Sequence, residues 1–273
     1  GWSEQLNGWS SIKIIRIDKQ GNLLEQRLYG ALSQAWYVGL PGSVIKLPNG
    51  DYLSGGAIFD SLSGRRNALV IRFNENLDTL WTKENGGADF DAFYKVMVTT
   101  DSNYAFFGTT ASFGGSSAFY LVKTDTAGNL LWQRMYGTGE YETGSNFDQF
   151  SNGDFLLSGL VRDNFPLSDR YGYVVKTDAH GNIHWQEQYG PEGQNLAGAA
   201  TIGKDGSFYF WGRYDTIVQN NSHEFTPFVT KRDSSGTLLW RKFFPKEKYT
   251  AFWQAREISD GSLVFVGEFT LPA

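Results

Sequence analysis

The chain has 273 residues with 24 basic and 29 acidic side chains, and its net charge of −5 at pH 7 disfavours nucleic acid as a partner. It has no cysteine, which excludes disulfides and thiolate metal sites and fits any compartment. The length suits one all-β domain or two small ones, and no apolar run approaches the roughly 20 residues that a membrane-spanning helix needs.

The chain opens at Gly1-Trp2 without a Met or a signal peptide, which fits a mature or trimmed form, or part of a larger chain. Within residues 1–10, Trp2 to Gly8 resembles the tail of an outer strand, yet no inner hairpin separates it from the next copy. From Ile12 a unit begins that recurs along the chain. An apolar run, Ile12 to Ile17, is rich in β-branched residues and reads as a strand; Asp18 and a tight Gly21-Asn22 turn follow, then a second strand. The copies place their Asp or Asn at Asp18, Asn74, Asp125, Asp178 and Asp233, a period of roughly 50 residues that points to a propeller or an array. In the second copy Asn76-Leu77 replaces the glycine turn, and a different turn is expected there. Trp81, Trp132, Trp185 and Trp240 hold one slot of the second strand, with Glu25 in the first copy; an indole recurring there is expected to wedge one blade against the next.

Between these outer hairpins lie inner ones, with turns at Asn49-Gly50, Asp101-Ser102, Asn152-Gly153, Asp205-Gly206 and Asp260-Gly261. A glycine follows each, at Gly55, Gly108, Gly159, Gly212 and Gly267, where another backbone is expected to approach closely. The chain begins with an outer hairpin lacking an inner one, and ends with an inner hairpin lacking an outer one. The two halves make one whole. The expected architecture is therefore an all-β, single-domain, five-bladed β-propeller of four-stranded antiparallel blades, at about 43–85, 95–136, 145–189, 198–244, and 255–270 plus 11–30. The ring would close through the blade shared between the termini, removing exposed sheet edges. An open array is the alternative.

The run of Lys-Thr-Asp, Gly-Asn, Trp and Tyr-Gly from Lys123 to Gly137, alternating with the Asn-Gly or Asp-Gly hairpin, resembles β-propeller repeats of secreted and cell-surface proteins of Bacteroidetes and some archaea. It is also similar to the tryptophan-docking repeats of quinoprotein-type propellers. The resemblance covers residues 11–270. It implies the fold and an extracellular or cell-surface, outer-membrane-associated setting; such propellers serve as adhesins, scaffolds, lectins or appendages of enzymes, so it implies no single activity.

In a propeller of this strand order the long loops share one face, and recognition usually lives on such loops. The candidate ligand-binding residues are Trp36, Tyr37, Phe59, Arg65, Phe90, Asp91, Tyr141, Arg213, Tyr249 and Trp253, with Arg66 and Phe93 among further aromatic and charged loop residues. Aromatic faces beside guanidinium and carboxylate groups suit a sugar ring and equally a protein hot spot. The bland alternative is that these aromatics fold inward and seal the ring's mouth. No enzymatic motif has its structural context. Ser43 to Lys46 matches S-x-x-K but lies on an expected strand, and His180, His184 and His223 are scattered. Neither a cofactor nor a metal site is expected. The leading expectation is a non-enzymatic module binding a glycan or a protein at the cell surface. Its alternatives are a carbohydrate-active enzyme with paired loop carboxylates, or a structural module of a larger secreted protein.

Overall fold

The computed structural model describes residues 5–6, 9–30, 33–39, 43–114, 116–162, 170–189, 196–217, 223–244 and 248–270, and among them there are strands and turns but no helix. The chain divides into two compact units, Gly1–Met135 and Tyr136–Ala273. In the first, β1 (Gln5–Leu6) pairs with β2 (Trp9–Ser10), and β3 (Ile12–Ile17) pairs with β4 (Leu23–Tyr29). One sheet follows with β5 (Gln34–Val38), β6 (Val44–Lys46), β7 (Tyr52–Asp60), β8 (Arg66–Phe73) and β9 (Thr79–Asn85); another has β10 (Asp91–Val98), β11 (Tyr104–Thr110), β12 (Ala118–Thr124) and β13 (Leu130–Tyr136). The second unit has two four-stranded sheets: β14 (Tyr141–Gln149) to β17 (Ile183–Tyr189) through β15 (Phe155–Arg162) and β16 (Arg170–Thr177), and β18 (Leu196–Ile202) to β21 (Leu238–Phe243) through β19 (Phe208–Ile217) and β20 (His223–Arg232). It ends in a two-stranded pair, β22 (Lys248–Glu257) with β23 (Leu263–Thr270). All these ladders are antiparallel, as the hairpin turns dictate.

Residues 31–42, expected as a loop, contain β5. The apolar run Ala35 to Val38 pairs with β7 from Phe59 to Gly56, and β6 then continues on the same side from Ser54 to Tyr52. Thus β5 and β6 are one innermost strand interrupted at residues 39–43. The other inner strands are interrupted at the same level by a one-residue bulge, at Tyr94, Ser145 and Trp253, whereas β18 runs through without one. Each interruption faces the recurring glycine, and a bulge there bends the strand and re-aims it. At Gly108 a Cβ would run into the Ala92 carbonyl, so only glycine fits this close approach.

The outer turns repeat one piece of chemistry. Asp125 Oδ1 accepts from the amides of Ala127 and Asn129 at 2.9 and 2.8 Å, and its Oδ2 accepts from Asn129 Nδ2 at 2.9 Å. Backbone and side-chain bonds from Asn129 hold the Asp125 carboxyl below the usual carboxylate range. Asp18 and Asp178 make the same set. The second copy was expected to differ and does not. Asn74 Oδ1 accepts from Asn76 and Asp78, while Leu77 takes the glycine's left-handed conformation at φ 61°. That conformation costs a non-glycine residue of order 1 kcal/mol, which burial of the Leu77 side chain offsets.

Copies dock on their successors through the same turn. The cation two residues before the turn carboxamide or carboxylate reaches the next copy's turn carbonyl. Arg16 donates to Glu75 O at 2.6 Å, Arg72 to Thr126 O at 2.9 Å, and Lys176 to Ser234 O at 3.1 Å. The indoles follow suit: a Cβ at Gly128 would meet the Trp81 ring at 2.9 Å, and Trp185 Nε1 donates to Ser234 O at 3.3 Å. The wedge expected of the tryptophans is thus aimed at a tight turn, whose glycine leaves room for the ring. Inside the sheets, Phe93, Phe106, Tyr120 and Val122 build the core of the first unit, and Leu156, Val174, Phe208 and Phe210 that of the second.

The four-stranded sheets and the terminal hairpins differ in burial. Ile71 on β8 is 1% exposed, whereas Ile15, its counterpart on β3, is 57% exposed. On β15 Leu156 is 1% exposed; its counterpart Val264 on β23 is 48% exposed. Each terminal hairpin is nonetheless docked within its own unit. Tyr29 on β4 donates to Leu77 O at 2.5 Å, and Lys204 donates through its amide to Glu257 Oε2 at 2.7 Å and through Nζ to Ile258 O at 2.6 Å.

Candidate functional site

In the first unit a cavity of about 520 Å³ opens at the level of the inner-strand bulges. Tyr37 and Val38 of β5, Gly56 to Phe59 of β7 and Arg66 of β8 line one side; Phe90 and then Ala92 to Tyr94 of β10 line the other. Sequence and topology account for the placement. The interruption after Val38 lets Gly39 lie so close to β10 that a Cβ there would meet Phe93 O at 2.6 Å and Tyr94 O at 2.9 Å. The bulge at Tyr94 turns that side chain toward the cavity instead of along the pleat. Tyr94 is hydrogen-bonded to Thr109, and burial pushes its hydroxyl pKa up, so it stays protonated at neutral pH.

The floor is braced by Asp91. This carboxylate is fully buried; Thr110 donates to it through its hydroxyl, Ser112 Oγ at 2.7 Å and the Gly87 amide at 3.0 Å. Three donors satisfy the charge in place of water, and they tie the 86–90 loop to the ends of β10 and β11. Asp91 is therefore a brace of the loop, and it is absent from the cavity lining. Glu142 does the same work at the equivalent place of β14, where its Oε1 accepts from the Thr138 amide at 2.7 Å and hydroxyl at 2.6 Å.

Of the sequence candidates, the structure brings Tyr37, Phe59 and Phe90 together around the cavity. Trp36 points away. It packs against the cluster of Ile12, Ile58 and Leu69, and its Nε1 donates to Gln34 Oε1 at 3.2 Å. Arg65 is exposed in the β7–β8 turn and is absent from the lining; its neighbour Arg66 takes the position expected of it, with the guanidinium carbon 5.1 Å from the centre of the Phe59 ring. Tyr141 and Arg213 belong to the second unit, at the exposed start of β14 and half-buried on β19. The side chains of Tyr249 and Trp253, both on β22, lie outside the described residues. Tyr94 escaped sequence reasoning. Its signal was its place one residue after Phe93, opposite the recurring Gly108, where the register slips.

The lining presents aromatic rings and small aliphatic groups, with a guanidinium at the rim. Among the described residues no carboxylate lines the cavity. Among the described residues no group of three or more acidic or imidazole side chains could hold a metal ion. What the arrangement can do chemically is exclude water from an apolar or ring-shaped group and orient it by one cation.

No family model matches the chain, and no curated protein matches it. A solved structure, a member of the DUF4221 family from Bacteroides vulgatus, aligns over 94% of this chain and 98% of its own at 11% identity and a TM-score of 0.25, a likeness too slight to bear on fold or function.

Proposed function

We propose that the chain is a non-enzymatic binding module that takes a partner, protein or glycan, in the cavity lined by Tyr37, Phe59 and Phe90. The cavity carries this reading, because its volume falls within the ~300–1,000 Å³ of ligand pockets and aromatic side chains dominate its wall. The scaffold in this proposal is a five-bladed β-propeller whose fifth blade joins β22–β23 to β3–β4. Two observations support it. Arg16 and Tyr29 already dock on the turn at Asn74–Asp78 as other copies dock on their successors. The apolar residues that remain exposed, Ile15 and Val264, are those that every four-stranded sheet buries. The extracellular or cell-surface setting rests on the resemblance of the repeats, and fractionation of the producing cells tests it.

The binding reading is tested by screening the immobilised chain against a glycan array and a peptide display library, with Phe90→Ala and Tyr141→Ala variants alongside. Hits that weaken at least tenfold with Phe90→Ala and persist with Tyr141→Ala are expected. Hits that survive Phe90→Ala unchanged would remove the cavity from the reading.

A further inference from the structure

We infer that the occupant of this cavity is an apolar side chain of a peptide or protein partner with a carboxylate beside it, and that Arg66 is the residue that receives the carboxylate. The inference rests on the binding reading above and narrows it to one chemistry.

The cation is the starting point. Arg66 stands opposite Phe59 at the head of β8, its guanidinium carbon 5.1 Å from the ring centre. The contact with the ring face is an attraction of roughly 0.5–1 kcal/mol at an exposed site, enough to bias the side chain over the cavity mouth. It leaves the guanidinium N–H groups at the plane's edge unused. Other basic residues of the unit spend theirs inside the fold: Arg72 on Asp51 at 2.7 Å, Lys123 on Asp101 at 2.8 Å, Arg27 on Glu25 at 3.0 Å. Among the described residues Arg66 faces no carboxylate. A guanidinium with forked donors suits a planar carboxylate better than a neutral group.

The wall decides between peptide and sugar. Val38, Ala57, Ile58, Ala92 and the rings of Phe90 and Phe93 offer no hydrogen bonds from their side chains. The Tyr94 hydroxyl is already engaged by Thr109, which leaves the Tyr37 hydroxyl as the one neutral side-chain partner of the lining, too few for a ring of hydroxyls. A pyranose carries a hydroxyl on most ring carbons, and each one buried here without a partner would cost about 1–3 kcal/mol. An aromatic or branched aliphatic side chain carries no such cost and gains by leaving water. The wall therefore fits the side chain, and the rim fits a neighbouring carboxylate, whether that of a chain terminus or of an adjoining acidic residue.

The test uses the whole chain and three probes, titrated by calorimetry and by NMR: N-acetyl-L-phenylalanine, its uncharged amide, and glucuronate. N-acetyl-L-phenylalanine is expected to bind at least tenfold tighter than the amide, and Arg66→Gln to abolish that preference for acid over amide while leaving the thermal melt unchanged. Equal affinity for acid and amide would overturn the role of Arg66 but leave the cavity as an apolar site. Tighter binding of glucuronate would overturn the peptide assignment and keep the binding reading. Binding of none of the three by a folded chain would overturn both.

Discussion

The strands β3 and β8 are copies of one element, and they meet opposite fates. Both carry an isoleucine immediately before a basic residue that reaches the next turn, Ile15 before Arg16 and Ile71 before Arg72. Ile71 sits between β7 and β9 and is buried; among the described strands Ile15 has only β4 paired beside it and is mostly exposed. The same contrast separates Leu156 from Val264 in the second unit. A repeat sequence specifies its strand and its turn locally, but burial comes from the neighbours that the strand is given. A strand written to be covered on both sides and left with one partner exposes the apolar residues and the open edge that proteins usually hide.

Removing residues 1–30 is the largest blow to this comparison. If β3–β4 completes a ring, the truncated chain should show no cooperative thermal transition and should bind a hydrophobic dye, because an edge and the docking of Arg16 and Tyr29 go together. A truncated chain that melts cooperatively near the parent temperature would show that the hairpin is an appendage. A smaller effect comes from paired substitutions in denaturant. Ile71→Ala should cost about 2–4 kcal/mol, as removal of a fully buried branched side chain does. Ile15→Ala should cost at least half as much if a further strand covers β3, and under about 0.5 kcal/mol if its 57% exposure persists in solution.

Much of this fold was legible in the sequence for a reason that the turns make plain. Asp125, Gly128 and Asn129 form a closed set of hydrogen bonds within five residues, so the chemistry that ends one strand and starts the next is local. The turn at Leu77 was misread because the rule that a left-handed residue should be glycine is also local. What permits leucine there is its burial under Ile12 and Tyr29, which come from another copy. β5 looks like loop in the sequence for a related reason: its partner, Gly56 to Asp60, lies across an interruption that no local pattern marks. The site was half legible. Aromatic residues in loops pointed to Tyr37, Phe59 and Phe90, but nothing in the pair Arg65-Arg66 says which one strand pairing turns onto Phe59. Trp36 and Asp91 fall outside the cavity because a one-residue step along a strand decides between cavity and core.

The acid limb of stability should also separate the complete sheets from the terminal hairpins. Hydrogen bonds from Lys231 and Ser207 push the Asp205 carboxyl down to about 2 from the ordinary 3.8. A group with a depressed folded-state pKa stabilises the fold above its unfolded value and loses that contribution as pH falls, here between about 3.8 and 2. Lys231→Ala should therefore lessen the drop in melting temperature across that window, and an unchanged drop would dismiss the pair as a contributor.

The smallest expected effect bears most directly on whether the termini meet. Every four-stranded sheet sets a cation of its third strand against a carboxylate of its inner turn: Arg72 with Asp51 at 2.7 Å, Lys123 with Asp101 at 2.8 Å, Lys176 with Asp154 at 3.7 Å, Lys231 with Asp205 at 2.7 Å. On the terminal hairpins the corresponding residues are Arg16 and Asp260, and a shared blade requires them to form the fifth such pair. Exposed pairs of this kind couple by about 0.2–1 kcal/mol. Arg16→Glu and Asp260→Arg should each lower the denaturation midpoint, and the double substitution should recover part of the loss, because opposite charges again face each other. Additive losses in the double variant would mean that the two residues never meet. The five copies would then form an open row, and the exposed faces of β3 and β23 would need other partners.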